Sequence, residues 1–224
     1  MREKTTYTGC DFCTEIYDLR RSLFYKIYKN TDISSRVIGE TRSFIVFPTI
    51  GHFIKYYLII IPKRHIESMS KLEIDELIEL QQFIEKIKTA LSQYGYVVCF
   101  EHGGGLKVGG SCSVYHAHMH IMPLPSKLRL SSFFHDNCSI EQSNNFTECY
   151  ISLKNTSQYL FTMETDGNIS FIDTSNTSHL YSSQYFRKKI SDYYKINASW
   201  NWREYNSIEE NLMDTIRKLK ISNI

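Results

Sequence analysis

Proline and glycine are scarce, four and ten residues among 224, whereas Tyr, Ile, Asn and Lys are plentiful. We read that bias as genomic rather than functional. Long apolar runs are missing too. The longest, Tyr56 to Pro62, is far short of the roughly 20 residues a helix needs to span a bilayer. No surplus of one charge sign is present: a net charge of +2 gives no strong argument for a nucleic-acid or membrane surface, and predicts only modest steering of anions. The N-terminal Met1-Arg-Glu-Lys-Thr-Thr stretch lacks the apolar core of a secretory signal. The six cysteines are therefore expected as reduced thiols in a cytoplasmic protein. Internal repeats are absent, and an aromatic content of 14% is too high for a disordered chain. One or two domains with a sizeable core are expected at this length.

What is present concentrates in Ser113-Val-Tyr-His-Ala-His-Met-His-Ile-Met-Pro123, with histidines at 116, 118 and 120. Period-two spacing on a strand sends all three imidazoles to one face. Histidine alone holds a neutral base near its pKa at physiological pH, so three together suit proton transfer, nucleophilic attack or metal ligation. A glycine-rich loop, Gly103 to Gly110, leads into the run, and backbone N–H groups in such a loop can cradle phosphate.

Upstream, Cys10-Asp-Phe-Cys13 precedes a helical pattern through Ile16, Leu19, Leu23 and Ile27. Two cysteines at this spacing can chelate a metal, do redox chemistry or do neither. No second Cys-x-x-Cys exists, so a tetrahedral site needs distant histidines. Arg36–Glu40, Ser43–Pro48 and Tyr57–Pro62 read as strands, and Pro62 ends the third because it offers no ladder donor. Ser70 is the expected N-cap of a long helix over Leu72–Tyr94, with a core stripe of Leu77, Leu80, Phe83, Ile84, Ile87 and Leu91 and with Gly95 as its stop. Tyr96–Phe100 is a further strand. Strands, a long helix and more strands predict an α+β domain over residues 1–125, its mainly antiparallel sheet having about five strands. Residues 126–224 read as a mixed α/β extension. It holds a loop with a short helix, a hairpin over Tyr159–Ile172 turning at Asp166-Gly167, and helices over Ser183–Ile196 and Ser207–Leu219.

His116-Ala-His118-Met-His120-Ile-Met resembles, at every position, the signature of the histidine triad superfamily of nucleotide hydrolases and transferases. The resemblance extends through Pro62-Lys-Arg-His65 and Phe100-Glu-His-Gly103 over roughly residues 8–125. It implies a histidine-triad fold, with a strongly twisted sheet and the long helix packed on it. It also implies a nucleotide substrate, cleaved at a phosphoanhydride or phosphoramidate bond through a nucleotidyl adduct on His118. His120 would bind a phosphate oxygen or assist the leaving group, and Ser113 would hydrogen-bond that group. Backbone N–H groups near Gly109, Gly110 and Ser111, with Thr49, Ile50 and Glu101, complete the implied nucleotide contacts. Zinc-containing members of the superfamily complete a Cys-x-x-Cys pair with the positions of His65 and His116, so Cys10, Cys13, His65 and His116 are implied as ligands of a structural zinc. Small members commonly form homodimers.

Departures from the pattern are informative. The acidic residue that often contacts ribose is Thr49 here, the common Gly-His before the buried strand is Tyr56-Tyr57, and the glutamine two residues before the common Val-x-His is Cys112. His52 and His102 flank the expected pocket and read as polar loop residues. A nucleotidyltransferase would use the same adduct, and a non-catalytic, zinc-stabilised nucleotide- or protein-binding module is a third reading. The extension leaves from the rim of the pocket and carries Gln184, Tyr185, Arg187 and Arg203. The 183–203 region is therefore expected either to cover the site and select the leaving group or to be a packing appendage.

Overall fold

The computed structural model describes residues 9–104, 114–197, 200–204, 209–219 and 221. Among the described residues eight strands form one wholly antiparallel sheet: β1 (Gly39–Glu40), β2 (Phe44–Pro48), β3 (Leu58–Pro62), β4 (Tyr96–Gly104), β5 (Met119–Leu124), β6 (Glu141–Ser143), β7 (Gln158–Met163) and β8 (Ile169–Asp173). Their order across the sheet is β1-β2-β3-β5-β4-β7-β8-β6. The five strands expected from the first 125 residues are there, but the sheet does not stop at them. β7 pairs with β4 from Cys99↔Met163 to Gly104↔Gln158, so the extension continues the sheet and the strand count rises to eight. β6 was not foreseen because its three residues are polar and exposed or half-exposed.

Alternation along the strands sorts side chains between two faces. Phe44 and Val46 of β2, Leu58 and Ile60 of β3, Val97 and Cys99 of β4, and Tyr159 and Phe161 of β7 share one core. That face is covered by α3 (Ile74–Leu91), through the stripe Leu77, Leu80, Phe83, Ile84, Ile87 and Leu91, and by α4 (Phe146–Ser152). The opposite residues divide between two cores. Ile45, Phe47, Ile59 and Ile61 pack with Phe12, Cys10 and Cys13, placing the short helices α1 (Asp11–Tyr17) and α2 (Leu23–Tyr28) at that end. Val98, Phe100, Met122 and Leu160 pack with Tyr185, Phe186 and Ile190 of α5 (Tyr185–Tyr193). A last helix, α6 (Glu209–Lys218), sets Leu212 and Ile216 against Phe24, Tyr28 and Ile50.

Two element ends differ from expectation. The α3 N-cap is Glu73 rather than Ser70: its side chain accepts from the N3 backbone, while the Glu76 side chain accepts from Glu73 N–H at 2.9 Å. Glutamate thus takes both parts of the capping box, and Ser70 lies in the preceding 3₁₀ turn, Met69–Lys71. The triad was expected on a strand, yet β5 begins only at Met119. His116 and His118 precede it in irregular backbone, and only His120 belongs to the ladder, opposite Ile59 and Phe100.

Glu101 ties the parts together. Its carboxylate is fully buried on the α3 side of β4, where it accepts from Met69 N–H (2.9 Å), Tyr150 O–H (2.8 Å) and Tyr159 O–H (2.7 Å). Two of those donors come from the extension. Burial nonetheless outweighs the hydrogen bonds and raises its pKa from 4.5 to about 7.

Two outcomes follow from this architecture. A chain ending at Pro125 should aggregate or lack a cooperative thermal transition, because it bares the outer edge of β4 together with Val98, Phe100 and Met122. Circular dichroism and gel filtration check this. Glu101 makes the native state hold a proton that the unfolded chain has released between about pH 4.5 and pH 7. Its contribution to stability is therefore complete at low pH and is lost as pH rises through that window, by on the order of a few kcal/mol. Urea titrations of wild type and Glu101→Gln should diverge in favour of the variant as pH rises from 4.5 to 7; parallel curves would contradict the assignment.

Candidate functional site

A pocket opens between the even-numbered face of β4 and β5, the Thr49–Gly51 loop, α1 and the extension. His118, His120, His102 and Arg187 line one side; Phe12, Leu23, Ile50, Ile59 and Trp202 supply apolar wall. His102 lies on β4 and is buried, contrary to its reading as a loop residue. His52 is also buried, its Nδ1–H donating to Thr49 O at 2.6 Å, and burial lowers its pKa to about 3.

Hydrogen bonds fix the two exposed-facing triad rings. His118 Nδ1 lies 2.8 Å from the carbonyl oxygen of His116. A carbonyl only accepts, so Nδ1 carries the proton, and among the described residues no hydrogen bond engages the Nε2 lone pair. Burial lowers the His118 pKa to about 4, and the Arg187 charge adds to that, so the ring is neutral at physiological pH. His120 stacks on Phe100 with ring centres 4.5 Å apart, and its Nδ1 lies 2.8 Å from Tyr57 Oη. The edge of Phe12 meets His118 at 5.6 Å, so the N-terminal helix packs directly on that ring.

The first triad histidine faces elsewhere. His116 is fully buried, and its Nε2–H donates to Pro62 O at 2.9 Å, which leaves Nδ1 as an acceptor. That nitrogen lies 3.4 Å from Cys10 Sγ and 3.5 Å from Cys13 Sγ, while His65 Nδ1 lies 3.3 Å from Cys13 Sγ. All four ligand atoms fall within 4.8 Å of one another. Metal bonds of about 2.0–2.3 Å in a tetrahedron require ligand atoms roughly 3.3–3.8 Å apart, a range that holds the three separations just given, and the donor set and the His116 tautomer suit a metal. The Cys13 side chain and the His116 ring hold the Cys10 thiol well below its ordinary pKa, and the same contact with Cys10 pushes the Cys13 thiol well above it, so the pair shares one thiolate. These four residues form a cluster able to hold a metal ion.

Other expected residues fall as follows. Thr49 and Ile50 line the pocket. Glu101 does not: it sits between Phe100 and His102 on β4, so the pleat turns its carboxylate to the α3 face, where its oxygens are already bonded. Gly109, Gly110, Ser111 and Ser113 lie outside the described residues. Lys63 is engaged with Glu40 and Thr41, and Arg64 with Glu76, away from the pocket. From the extension, Gln184 Nε2 donates to Asn201 Oδ1 (2.8 Å) and its Oε1 accepts from Trp202 N–H (3.2 Å), which fastens the Trp202 loop over the site. Gly51 makes that closure fit. Its φ is +78°, and a Cβ there would come within 2.7 Å of the Trp202 backbone and Cβ. Sequence reasoning missed the Arg36–Glu15 pair, buried at 2.6 Å in the pocket wall, and noted Tyr57 only as a departure. An arginine twenty-one residues from its glutamate carries no local signal.

A family model described as "Scavenger mRNA decapping enzyme C-term binding" matches residues 21–132, half of the chain, including the whole triad. No curated protein matches. Among solved structures the chain is similar to a HIT family protein from Bacillus anthracis (21% identity, 53% of this chain and 74% of that one, TM-score 0.39). It is also similar to a histidine triad protein from Clostridium difficile (23%, 55% and 95%, TM-score 0.37). A histidine triad nucleotide-binding protein from Candida albicans is a third (23%, 53% and 77%, TM-score 0.38). With the family model spanning half of the sequence and the triad inside it, this chain belongs to the histidine triad superfamily.

Proposed function

We propose that this protein hydrolyses a nucleotide at its α-phosphorus through a covalent adduct on His118. One observation carries the reading: the His118 ring faces the pocket with Nδ1–H bound to a backbone carbonyl and Nε2 left as a nucleophile. Attack forms an Nε2–P bond while the P–O bond of an anhydride, or the P–N bond of a phosphoramidate, breaks and its electron pair leaves with the departing group. Positive charge that builds on the ring is stabilised by the His116 carbonyl already hydrogen-bonded to Nδ1. Water then attacks phosphorus, the Nε2–P bond breaks, the surplus proton passes to solvent and a nucleoside monophosphate departs. Division into two displacements is the usual advantage of covalent catalysis.

In this reading His120 contacts the phosphoryl oxygens, Thr49, Ile50 and the apolar wall receive the nucleoside, and Gly109, Gly110, Ser111 and Ser113 act at the phosphate and leaving group. Of the two substrate classes, a dinucleoside polyphosphate has the additional support of the matched family's description: an mRNA cap is itself a 5′–5′ dinucleoside polyphosphate. Cys10, Cys13, His65 and His116 would hold a structural zinc, which cross-links α1 to the strand ends when bound and has all four positions filled by protein. A phosphorylated acceptor in place of water would make the enzyme a nucleotidyltransferase through the same adduct, so product analysis with water, sugar phosphates and inorganic phosphate decides between them.

Elemental analysis of purified protein should find about one zinc per chain, and Cys13→Ser should lose the metal and lower the melting temperature. Zinc-free wild type of undiminished stability would remove the zinc assignment. His118→Ala should cut turnover of a dinucleoside polyphosphate by three or more orders of magnitude, roughly the scale for removing a nucleophile, with the circular dichroism spectrum unchanged. Wild-type turnover in that variant would place the chemistry elsewhere.

A further inference from the structure

Apart from its histidine side, the pocket wall carries its charged, hydroxyl and amide groups on Asp11, Glu15, Arg36, Thr49 and Gln184. Most of these are already bonded. Each Glu15 oxygen accepts from Arg36, at 2.7 and 2.6 Å, and Arg36 also donates to Pro48 O. Thr49 donates to Ile50 O, and the Gln184 amide is engaged at both ends, by Asn201 and by Trp202 N–H. Asp11 differs: among the described residues no hydrogen bond or ion pair engages its carboxylate.

Neighbours hold Asp11 in place. Cys10 and Phe12 on either side of it are buried, and Cys13 N–H donates to Cys10 Sγ at 3.4 Å, closing the turn that carries it. The Phe12 ring lies 5.8 Å from Phe47 and 5.6 Å from His118, ring centre to ring centre. Asp11 therefore stands at the start of α1, beside the apolar wall of Phe12, Leu23 and Ile50. The first turn of any helix favours a carboxylate, which accounts for an acid there but not for its place in a pocket lining.

The two ends of the pocket then suit the two ends of a nucleotide. In the function proposed above the phosphate lies at His118 and His120, and a carboxylate would repel it. The apolar wall suits a planar base, and a few polar groups at such a wall set which base fits. A carboxylate offers acceptors only. Guanine presents two adjacent, parallel N–H groups, at N1 and N2, which one carboxylate accepts together. Adenine sets a bare N1 beside its amine, cytosine a bare N3, and uracil flanks a single N–H with two carbonyls, so each turns a lone pair toward the carboxylate. We propose that Asp11 is the specificity-determining residue of this pocket and selects a guanine base by accepting from its N1–H and N2–H. This assignment rests on the nucleotide reading above and adds which base is taken.

Calorimetric titration of the full-length protein with GMP, AMP and IMP near pH 7 tests this. GMP should bind about tenfold or more tighter than AMP, the scale of one good two-pronged base contact. IMP, which keeps N1–H but lacks the N2 amine, should fall between them. Asp11→Asn offers one donor and one acceptor, the complement of adenine N1 and N6. It should weaken GMP about tenfold while AMP holds or tightens, so that the preference vanishes or reverses. Asp11→Leu should bring GMP down to the AMP level without helping AMP. Wild type that binds AMP as tightly as GMP overturns the proposal, as does a GMP preference that survives in Asp11→Asn. Should Asp11→Leu fail to fold, Asp11→Asn, an isosteric change at an exposed position, carries the same criterion. Guanine selection alongside undiminished turnover in His118→Ala would defeat the hydrolytic mechanism alone. Equal binding of all three nucleotides, with turnover lost in His118→Ala, would defeat the Asp11 assignment alone.

Discussion

Double pairing of β4 is the constraint on which the molecule depends. One edge of this strand holds β5 and the end of the triad, and the other holds β7 of the extension. Its pleat then sends Phe100 and His102 to the pocket and Glu101 to the α3 core. A strand paired on one side alone would leave six residues, from Cys99 to Gly104, with open ladder groups in the middle of the fold. Those groups are satisfied within the chain, so this edge is closed to a second copy. The extension also roofs the opposite face: Phe186 lies 5.0 Å from Phe100 and 5.3 Å from His102, ring centre to ring centre. Sheet completion and pocket formation are consequently one event, and both need residues beyond 125.

Much of this was legible in the sequence because it is local. Short apolar runs ending in proline located β2 and β3, the 3.6-residue stripe of α3 was right in all six positions, and Asp166-Gly167 marked the β7–β8 turn, where Gly167 takes φ +85°. The triad and the Cys-x-x-Cys pair are compact motifs whose spacing states their chemistry. What escaped is set by distance along the chain. Nothing near Tyr57 announces Arg187, nothing near Arg36 announces Glu15, and Glu101 gives no sign that its partners are two tyrosines some fifty residues on. Irregular backbone at His116 and His118 escaped for another reason. A period-two histidine pattern satisfies a strand rule whether or not a neighbouring strand is there to pair with it, and the β3 ladder to β5 runs only from Met119 to Ile121.

Departures from the superfamily pattern are linked rather than independent. Tyr56 occupies the place of a glycine and keeps the backbone a glycine would adopt, with φ +61°, at a cost of about 1 kcal/mol or more for a side chain in that region. Stacking on Tyr94 at 3.8 Å and a hydrogen bond from its N–H to Thr215 Oγ1 offset that cost. Tyr57 takes the place of a histidine. A phenol buried at that position needs a hydrogen-bond partner, and its pKa, pushed up to about 12 by burial, keeps it protonated near neutral pH. Tyr57 therefore needs a hydrogen-bond partner, which His120 supplies, while the Arg187 guanidinium lies 5.1 Å from its ring centre.

The balance of charge in the pocket follows from the same contacts. Arg36 is neutralised by Glu15 and braces Phe47 from 4.0 Å, so it serves the wall. Among the described residues Arg187 has no carboxylate partner, only the Gly51 and Trp200 carbonyls and the Phe53 and Tyr57 rings, and dipoles do not cancel a full charge in a medium of low dielectric. Burial holds the His118 and His120 rings below their ordinary pKa, and the pocket lining carries the Arg187 guanidinium together with the Asp11 carboxylate. The second positive centre, a metal held by Cys10, Cys13, His65 and His116, would be largely cancelled by two thiolates and lies behind His116, on the far side of the triad from the pocket. The buried cation of the pocket wall is thus carried by the extension, so a chain of nearly balanced net charge sets positive charge beside the triad through a residue beyond 125.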